Sequence, residues 1–492
     1  MAVFDDANAA GAIEFQYEVF FPESTTKTHT TQVAPWLQKH YLADGDGKTL
    51  LVGRVNPQGE PDPGFSSDGL VSEGLDLPND SSGPPQVSGL IVYASGKIIS
   101  GLQSPLGLGL ACFTQNGELD TDFGVQGKII HPLDVKSSTA SKTIDSNGTS
   151  TSTTTSIITT STSTTSTSTT TSTIATNTGT TSSSTTSTTT NTTITTNTST
   201  SDDKKASVSK AFVPNVLVAG EQGAFYVMAG RRSGHAFTLL RCQENGQLDT
   251  TFNGSGKVTV KHPNFDTDAM AVVAAPDGGA VVAGRLGPGR GTHVFFSRLN
   301  VDGSTDERFG KEGYAMFDAE SVGIPAGRLF QIELTSIIRL ADGGYAASGD
   351  VLAHTPAESC GLLIRLDSHG CLVPTFNEGK PLLFKYPEDH EVSFVFGGLA
   401  EQKDGKLVVA GGLSVRTGGY KRSILVVRYT PEGNLDTSWA AKGWETYEPL
   451  DHTVCYAQSV VLDENQKILV SGDGGPNDNI GSFTGFVMQL TS

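Results

Sequence analysis

Residue types that most often announce chemistry are scarce in this 492-residue chain. Charged side chains are only 17 % of it, too few for a bundle of ion-pair-laced helices. Among them 34 Lys and Arg stand against 52 Asp and Glu, a net charge of −18, which excludes a general nucleic-acid binder because phosphate contacts need clustered cations. The five cysteines (Cys112, Cys242, Cys360, Cys371, Cys455) are odd in number and lack CxxC spacing, so free and mostly buried thiols are expected. No run of about 18 apolar residues offers a membrane-spanning helix. The first twenty residues carry Asp5, Asp6 and Glu14 in place of a basic start and an apolar core. A cleavable Sec-type signal is therefore not expected, leaving the cytoplasm or export by a route without one. HExxH, G-x-S-x-G, a phosphate loop and a dinucleotide fingerprint are all missing.

Glycine, by contrast, is abundant at 57 residues, and it recurs with a period. One signature reads apolar–Arg–apolar–x–x–x–Gly–x–x–Asp–x–x–Phe–x–x–x–Gly. It appears around Arg54, Asp62 and Phe65, around Asp120 and Phe123 with Cys112 in the Arg place, and around Arg241, Asp249 and Phe252. It returns at Arg298, Asp306 and Phe309, at Arg365 and Phe376 with Val373 in the Asp place, and at Arg428, Asp436 and Trp439. The aromatic residues recur about every 60 positions, except between Phe123 and Phe252, where a low-complexity insert intervenes. Upstream of most copies lies a turn followed by a β run ending in Gly, as in Asp404-Gly405-Lys406 running to Gly411. Asp-Gly and Ser-Gly pairs between apolar runs make hairpin turns because Gly reaches positive φ without strain. Each unit then supplies four antiparallel strands, and such units in series form a β-propeller.

The expectation is an all-β fold of seven four-stranded blades. Phe65, Phe123, Phe252, Phe309, Phe376 and Trp439 are expected between neighbouring blades. Asp120, Asp249, Asp306 and Asp436 are expected to accept bonds from the amides of their own turns. The last unit ends in a third strand, and the run Ala12 to Tyr17 is placed to supply its fourth, which removes two free sheet edges. The first unit reads as irregular: Asp46-Gly47-Lys48 runs into Leu50 to Arg54 without room for a second and third strand, and six blades is the rival count.

These motifs resemble the delta-60 repeat family of bacterial proteins, whose unit contains forms like DGK-x-VVAG and GxLDxxFGxxG. The resemblance covers nearly the whole chain outside residues 137–210 and the first 45. It implies a β-propeller and brings no catalytic residues with it.

Residues 1–136 are read as the closing strand and first two units, 137–210 as an insert, and 211–492 as the remaining five units. From Thr149 to Ser201 the insert is almost entirely Ser and Thr. A linker too polar to bury a core is the plain reading. A β-rich extension and a glycan-bearing segment (sequons at Asn147, Asn191 and Asn197) are the alternatives.

No reaction centre emerges. His131, His262 and His452 fall in or near blade connections and read as solvated loop residues. Asp44-Gly45-Asp46-Gly47, and Asp473 with Asn477, Asp478 and Asn479, are weak calcium candidates, the first with Val55 where an acidic ligand belongs. No cofactor is otherwise expected. The recurrent Arg residues are read as partners of the recurrent Asp residues. The function expected is a non-catalytic scaffold that binds a protein or glycan through loops differing between blades, at Arg285–Thr292, Val351–Ser359, Ser414–Arg422 and Gly474–Ser482. A lyase- or hydrolase-type enzyme with its site at the central channel is the alternative. A surface component with the Ser/Thr tract as spacer is a second.

Overall fold

Alternating β-branched and small residues between glycine turns give the chain its strands. A computed structural model describes residues 13–19, 32–36, 39–45, 48–78, 85–104, 106–133, 142–144, 150–152, 216–230, 237–287, 291–325, 329–353, 359–386, 392–415, 421–449, 454–475 and 484–491. The chain divides into two compact units, Met1–Val135 with Phe212–Ser492, and Lys136–Ala211. The smaller unit contains a short antiparallel pair, Lys142–Ile144 with Ser150–Ser152. The remaining Ser/Thr residues, their sequons and the readings attached to them lie outside the described residues.

The larger unit is a seven-bladed propeller. Blades one to five are four-stranded antiparallel sheets. Their first and fourth strands are Gln32–Trp36 and Leu70–Gly74, Gln86–Val92 and Lys128–Pro132, Leu217–Ala219 and Lys257–Val260, Thr267–Ala274 and Tyr314–Asp318, and Leu329–Arg339 and Leu382–Phe384. Blade six runs from Val392–Glu401 to Trp444–Tyr447, and blade seven from Val454–Leu462 to Thr484–Leu490. One parallel bridge, Arg422 to Val454, links these two blades into a nominal eight-stranded sheet. The first strands of successive blades touch in sequence, and that of blade seven touches that of blade one, so the ring is closed. Ile13–Val19 pairs antiparallel with Thr484–Leu490 and is the fourth strand of blade seven.

The irregularity expected of the first unit is absent. Its first two strands, Gln32–Trp36 and Lys39–Gly45, lie upstream of the Asp-Gly pair at 46–47, which falls in sequence between strands two and three (Thr49–Val55) and outside the described residues. In the other blades an equivalent turn joins strands one and two, and reading this one the same way displaced the whole unit by a strand.

The first strands of blades two, four, five, six and seven each slip register by one residue at the same level, between Val87 and Gly89, Ala269 and Ala271, Leu334 and Ser336, Phe396 and Gly398, and Ala457 and Ser459. Such bulges sharpen strand twist. They also explain the glycine that closes the second strand. At Gly349 any Cβ would collide with the Glu333 carbonyl, and Gly284 and Gly472 face the same obstacle from Asp268 and Tyr456.

Seven clusters of buried apolar side chains occupy the seven blade interfaces. Six of them hold one repeat aromatic residue each, and all six of those rings are at most 1 % exposed. The cluster between blades seven and one holds none and consists of Val33, Leu42, Val55, Leu469 and Val487.

Hydrogen bonds tie these aromatic residues to the following blade. The amide after each Phe donates to a carbonyl in the next blade's turn: Ser66 to Asn116 (2.8 Å), Gly124 to Asn245 (2.9 Å), Asn253 to Asp302 (2.7 Å), Gly310 to His369 (2.6 Å) and Asn377 to Glu432 (2.8 Å). The Arg of the repeat donates Nη1 to the preceding carbonyl of the same turn: Arg54 to Gln115, Arg241 to Val301 (2.7 Å), Arg298 to Ser368 (3.3 Å) and Arg365 to Pro431 (2.9 Å). Phe309 also lies against the turn glycine Gly370 of blade five, where a Cβ would sit 2.9 Å from its ring. Truncating such a ring leaves a cavity that the surrounding sheets cannot close. Phe309→Ala should therefore lose about 3–5 kcal/mol in denaturant unfolding. A loss below about 1 kcal/mol would show that the ring is not a keystone of the interface.

Candidate functional site

The two faces of the ring differ in kind. One carries the turns between strands one and two and those between strands three and four, and most of these repeat the same geometry from blade to blade. Tyr93–Lys97, Ala275–Gly279, Leu340–Gly344, Gln402–Lys406 and Asp463–Lys467 all close with the same amide-to-carbonyl bond. The opposite face carries the loops between strands two and three, which vary in length, from Leu286 to His293, Ala353 to Cys360, Val415 to Lys421 and Gly475 to Thr484. Their central residues 288–290, 354–358, 416–420 and 476–483 lie outside the described residues. In sequence the insert lies between the fourth strand of blade two and the first of blade three.

On the uniform face the repeat Asp residues meet the repeat Arg residues of the same blade. The pairs are Arg54–Asp62 at 2.8 Å, Arg241–Asp249 at 3.1 Å, Arg298–Asp306 at 3.5 Å and Arg428–Asp436 at 2.9 Å. Asp120 Oδ1, Asp249 Oδ1, Asp306 Oδ1 and Asp436 Oδ1 each accept from the amide two residues on. Where the repeat loses a member, a neighbour replaces it. Cys112 stands for Arg in blade two, and Lys97 from the adjoining turn pairs with Asp120 at 3.1 Å and reaches Glu244 of blade three at 3.2 Å. Val373 stands for Asp in blade five, and Arg365 keeps only the pair with the turn aspartate Asp342 (2.8 Å), which Arg298 makes with Asp277 (2.6 Å) in addition to its repeat Asp. All of these groups are engaged in holding blades and turns together.

At the level of the variable loops, the structure gathers residues that sequence reasoning passed over. Asp268 and Glu333 lie on the first strands of blades four and five, cross-strand from Arg285 and Asp350 on the second strands. Arg285 clamps Asp268 (Nε 3.1 Å, Nη2 3.0 Å) and reaches across the blades to Glu333 (Nη1 2.7 Å). Asp350 is 1 % exposed, and its Oδ1 has no hydrogen-bond partner. Burial pushes its carboxyl well above the usual carboxylate range, and Glu333 pushes it further, against the pull of Arg285. The signal in the sequence is a charged residue directly after the strand-two glycine, at Arg285, Asp350 and Asp473. Nearby, Arg422 donates Nε to Ser414 Oγ at 2.7 Å and stacks 4.3 Å above the Tyr456 ring, giving the same rim a fixed cation over an aromatic face.

Other nucleophiles and ligands are set for folding. Cys112, Cys242, Cys360 and Cys455 are buried free thiols, whereas Cys371 is exposed. Burial pushes Cys112, Cys242 and Cys455 up to about 12 and Cys360 to about 11, so none is a thiolate at neutral pH. Two of the three histidines read as solvated are buried. His131 bonds the Gly246 carbonyl at 2.9 Å, and His262 lies among Phe265, Tyr314 and Thr267. His131 lies on the fourth strand of blade two and faces the blade-three turn that carries Gly246. His452 lies outside the described residues. Asp44 is buried and accepts from its neighbour's amide, Gly45, at 2.7 Å. Among the described residues no three His, Cys, Asp or Glu side chains gather as metal ligands, and no helix is long and apolar enough to cross a membrane.

The family model for a domain of unknown function, the DUF5122 β-propeller, matches residues 402–438, the turn and strands that lead to Trp439. No curated protein matches the chain. Among solved structures, the Dos1 propeller is similar at 9 % identity and TM-score 0.42, over 96 % of this chain and 94 % of that one. The Nup133 β-propeller domain of Vanderwaltozyma polyspora is similar at 8 % identity and TM-score 0.36, over 96 % and 97 %. An endo-arabinase from Bacteroides thetaiotaomicron is similar at 14 % identity and TM-score 0.30, over 55 % and 89 %. These values carry no inference about activity.

The Asp350 proton gives a direct test of the inter-blade cluster. A raised value means that the folded protein holds this proton more tightly than the unfolded chain does. Stability is therefore lost as pH climbs from the ordinary carboxylate value towards the folded one. Asp350→Asn removes that loss. In thermal melts from about pH 4 to about pH 8 the variant should gain on the parent as pH rises. A difference that does not change with pH would place the titration elsewhere.

Proposed function

We propose that this propeller is a non-catalytic binding scaffold that recognises a protein or glycan partner through the variable loops of one face. The observation that supports it most is the confinement of variation. Turns on one face repeat bond for bond, while the loops on the other differ in length and lead into a rim that presents Arg285, Arg422 and Tyr456. A rigid ring with one divergent face is built to hold several loops in fixed relation, which is what recognition asks of a scaffold. The Arg422 guanidinium over the Tyr456 ring suits the polar faces of sugars and peptides alike. The carboxylates beside it, Asp268 and Glu333, are held by Arg285, and Asp350 is sealed from solvent, an arrangement that favours rigidity over turnover. The repeat itself is of the delta-60 type, and no cofactor is required.

Replacing 354–358 and 476–483 with Asn-Gly turns shortens two of these loops at hairpin positions that accept such turns. Screened against a glycan array and immobilised surface proteins, the parent should bind a defined subset, and the shortened protein should lose that binding with an unchanged melting temperature. Retained binding would rule the loops out as the recognition surface.

A further inference from the structure

Asn-Gly pairs occur in the sequence at Asn116, Asn147, Asn245 and Asn253. Asn147 lies outside the described residues. In such a pair the backbone nitrogen of the glycine attacks the asparagine side-chain amide, because no Cβ shields it. The attack needs that nitrogen free of other bonds and the intervening peptide free to turn. The fold treats the three described pairs differently.

Asn116 and Asn245 sit in turns between strands three and four, and the peptide after each is pinned at both ends. Their carbonyls accept the inter-blade bonds from Ser66 (2.8 Å) and Gly124 (2.9 Å). The glycine amides donate within the turn, Gly117 to the Thr114 carbonyl at 3.0 Å and Gly246 to that of Gln243 at 2.8 Å. Both glycines are also closely packed. A Cβ would stand 3.1 Å from the Ser66 nitrogen at Gly117, and 2.6 Å from the Phe123 ring at Gly246.

Asn253 differs on each count. It follows the repeat aromatic residue Phe252, at the start of the segment that leads into strand four. In blades two and four the second amide after the ring bonds the carbonyl that opens strand four, Val125 to Lys128 at 2.7 Å and Lys311 to Tyr314 at 2.8 Å. In blade three the Asn253 side chain takes over that carbonyl, with Nδ2 donating to Lys257 at 2.8 Å. The backbone amide of Gly254 is thereby left over. Among the described residues, which include this segment and the blade-four turn it meets (237–287 and 291–325), neither the Asn253 carbonyl nor the Gly254 amide makes a hydrogen bond. Asn253, Gly254 and Ser255 are exposed. No atom beyond its chain neighbours lies within 4 Å of the place a Gly254 Cβ would take, so the 253–254 peptide has room to turn.

We propose that Asn253 is a covalent modification site, where the side-chain amide is lost by deamidation and the main chain rearranges to isoaspartate. The Gly254 nitrogen bonds to Asn253 Cγ and gives up its proton, the Cγ–Nδ2 bond breaks, and ammonia leaves carrying that proton. Water from bulk solvent then opens the succinimide ring. Cleavage at Cγ yields aspartate, and cleavage at the former main-chain carbonyl yields isoaspartate, whose chain runs through Cβ. Neither electrons nor a cofactor are exchanged. Both products lack the Nδ2 donor to the Lys257 carbonyl. Isoaspartate also adds a methylene to the main chain just after the amide that staples blade three to the Asp302 carbonyl of blade four (2.7 Å). The modification therefore loosens one inter-blade staple, whereas the staples at Asn116 and Asn245 shield their own Asn-Gly peptides from the same reaction. It involves none of the variable loops, so it stands apart from the recognition proposed for them.

The full chain is aged in mildly alkaline buffer, folded and in parallel in concentrated urea, and each asparagine is followed by peptide mass spectrometry with enzymatic methylation of isoaspartate. In the folded protein Asn253 should convert at least about tenfold faster than Asn116 or Asn245, the scale set by the two hydrogen bonds that hold each of their peptides. In urea the three should convert at similar rates. Asn253→Gln keeps a side-chain amide but cannot close the five-membered ring, and position 253 should then stay unmodified. In the converted fraction the amide of residue 253 should exchange hydrogen faster than in fresh protein. Asn116 or Asn245 keeping pace with Asn253 in the folded chain, or no conversion of Asn253 there, would overturn the site. Unchanged exchange at residue 253 after conversion would overturn its effect on the staple.

Discussion

The structure hangs on a short hydrogen bond between neighbours, made by the amide that follows each of the five repeat Phe residues to a carbonyl in the turn of the next blade. Seven twisted sheets around a ring share no continuous hydrogen-bond ladder, so each interface must be held by side chains and by whatever backbone groups protrude. Here the protruding group is an amide in the left-handed conformation, set by the aromatic residue before it and the glycine after it. The Arg–Asp pair braces the same turn from below, and the ring fills the space between. A partly buried ion pair contributes little net energy by itself, because desolvation offsets its attraction. Its value here is positional, since it aims Nη1 at the second carbonyl of the turn.

That constraint explains the exceptions as well as the rule. Cys112 leaves Asp120 without a guanidinium, and Lys97 supplies the charge from a different turn. Facing blade seven, Trp439 stands where the other blades have Phe, and its indole N–H donates to the Thr491 carbonyl. At the interface between blades seven and one, the described core is five buried aliphatic residues with no repeat aromatic residue among them. The closing strand Ile13–Val19 sets this blade apart, because it completes the sheet from a distant part of the sequence instead of through a repeat segment continuous with strand three.

Much of this fold was legible because its determinants are local. Gly303, Asp306 and Phe309 lie within one turn, and their recurrence at a fixed period reports a blade regardless of what surrounds it. The closing strand was legible from alternation alone in Ala12 to Tyr17. The first blade was misread because its Asp-Gly turn sits one strand later than elsewhere, and a turn motif does not say which pair of strands it joins. The Asp268–Arg285–Glu333–Asp350 cluster was invisible because it depends on the register of two bulged strands in different blades. A one-residue slip there decides whether Glu333 faces Arg285 or the solvent. The burial of His131 depends likewise on a carbonyl, that of Gly246, more than a hundred residues away in sequence.

Native-state hydrogen exchange on the uniform face tests the central claim most directly. The amides of Ser66, Gly124, Asn253, Gly310 and Asn377 should be protected to the level of the central strands of their blades. Exchange of these five near the rate of an open amide, with the strands still protected, would contradict the account, because the blades would then be held without the staple.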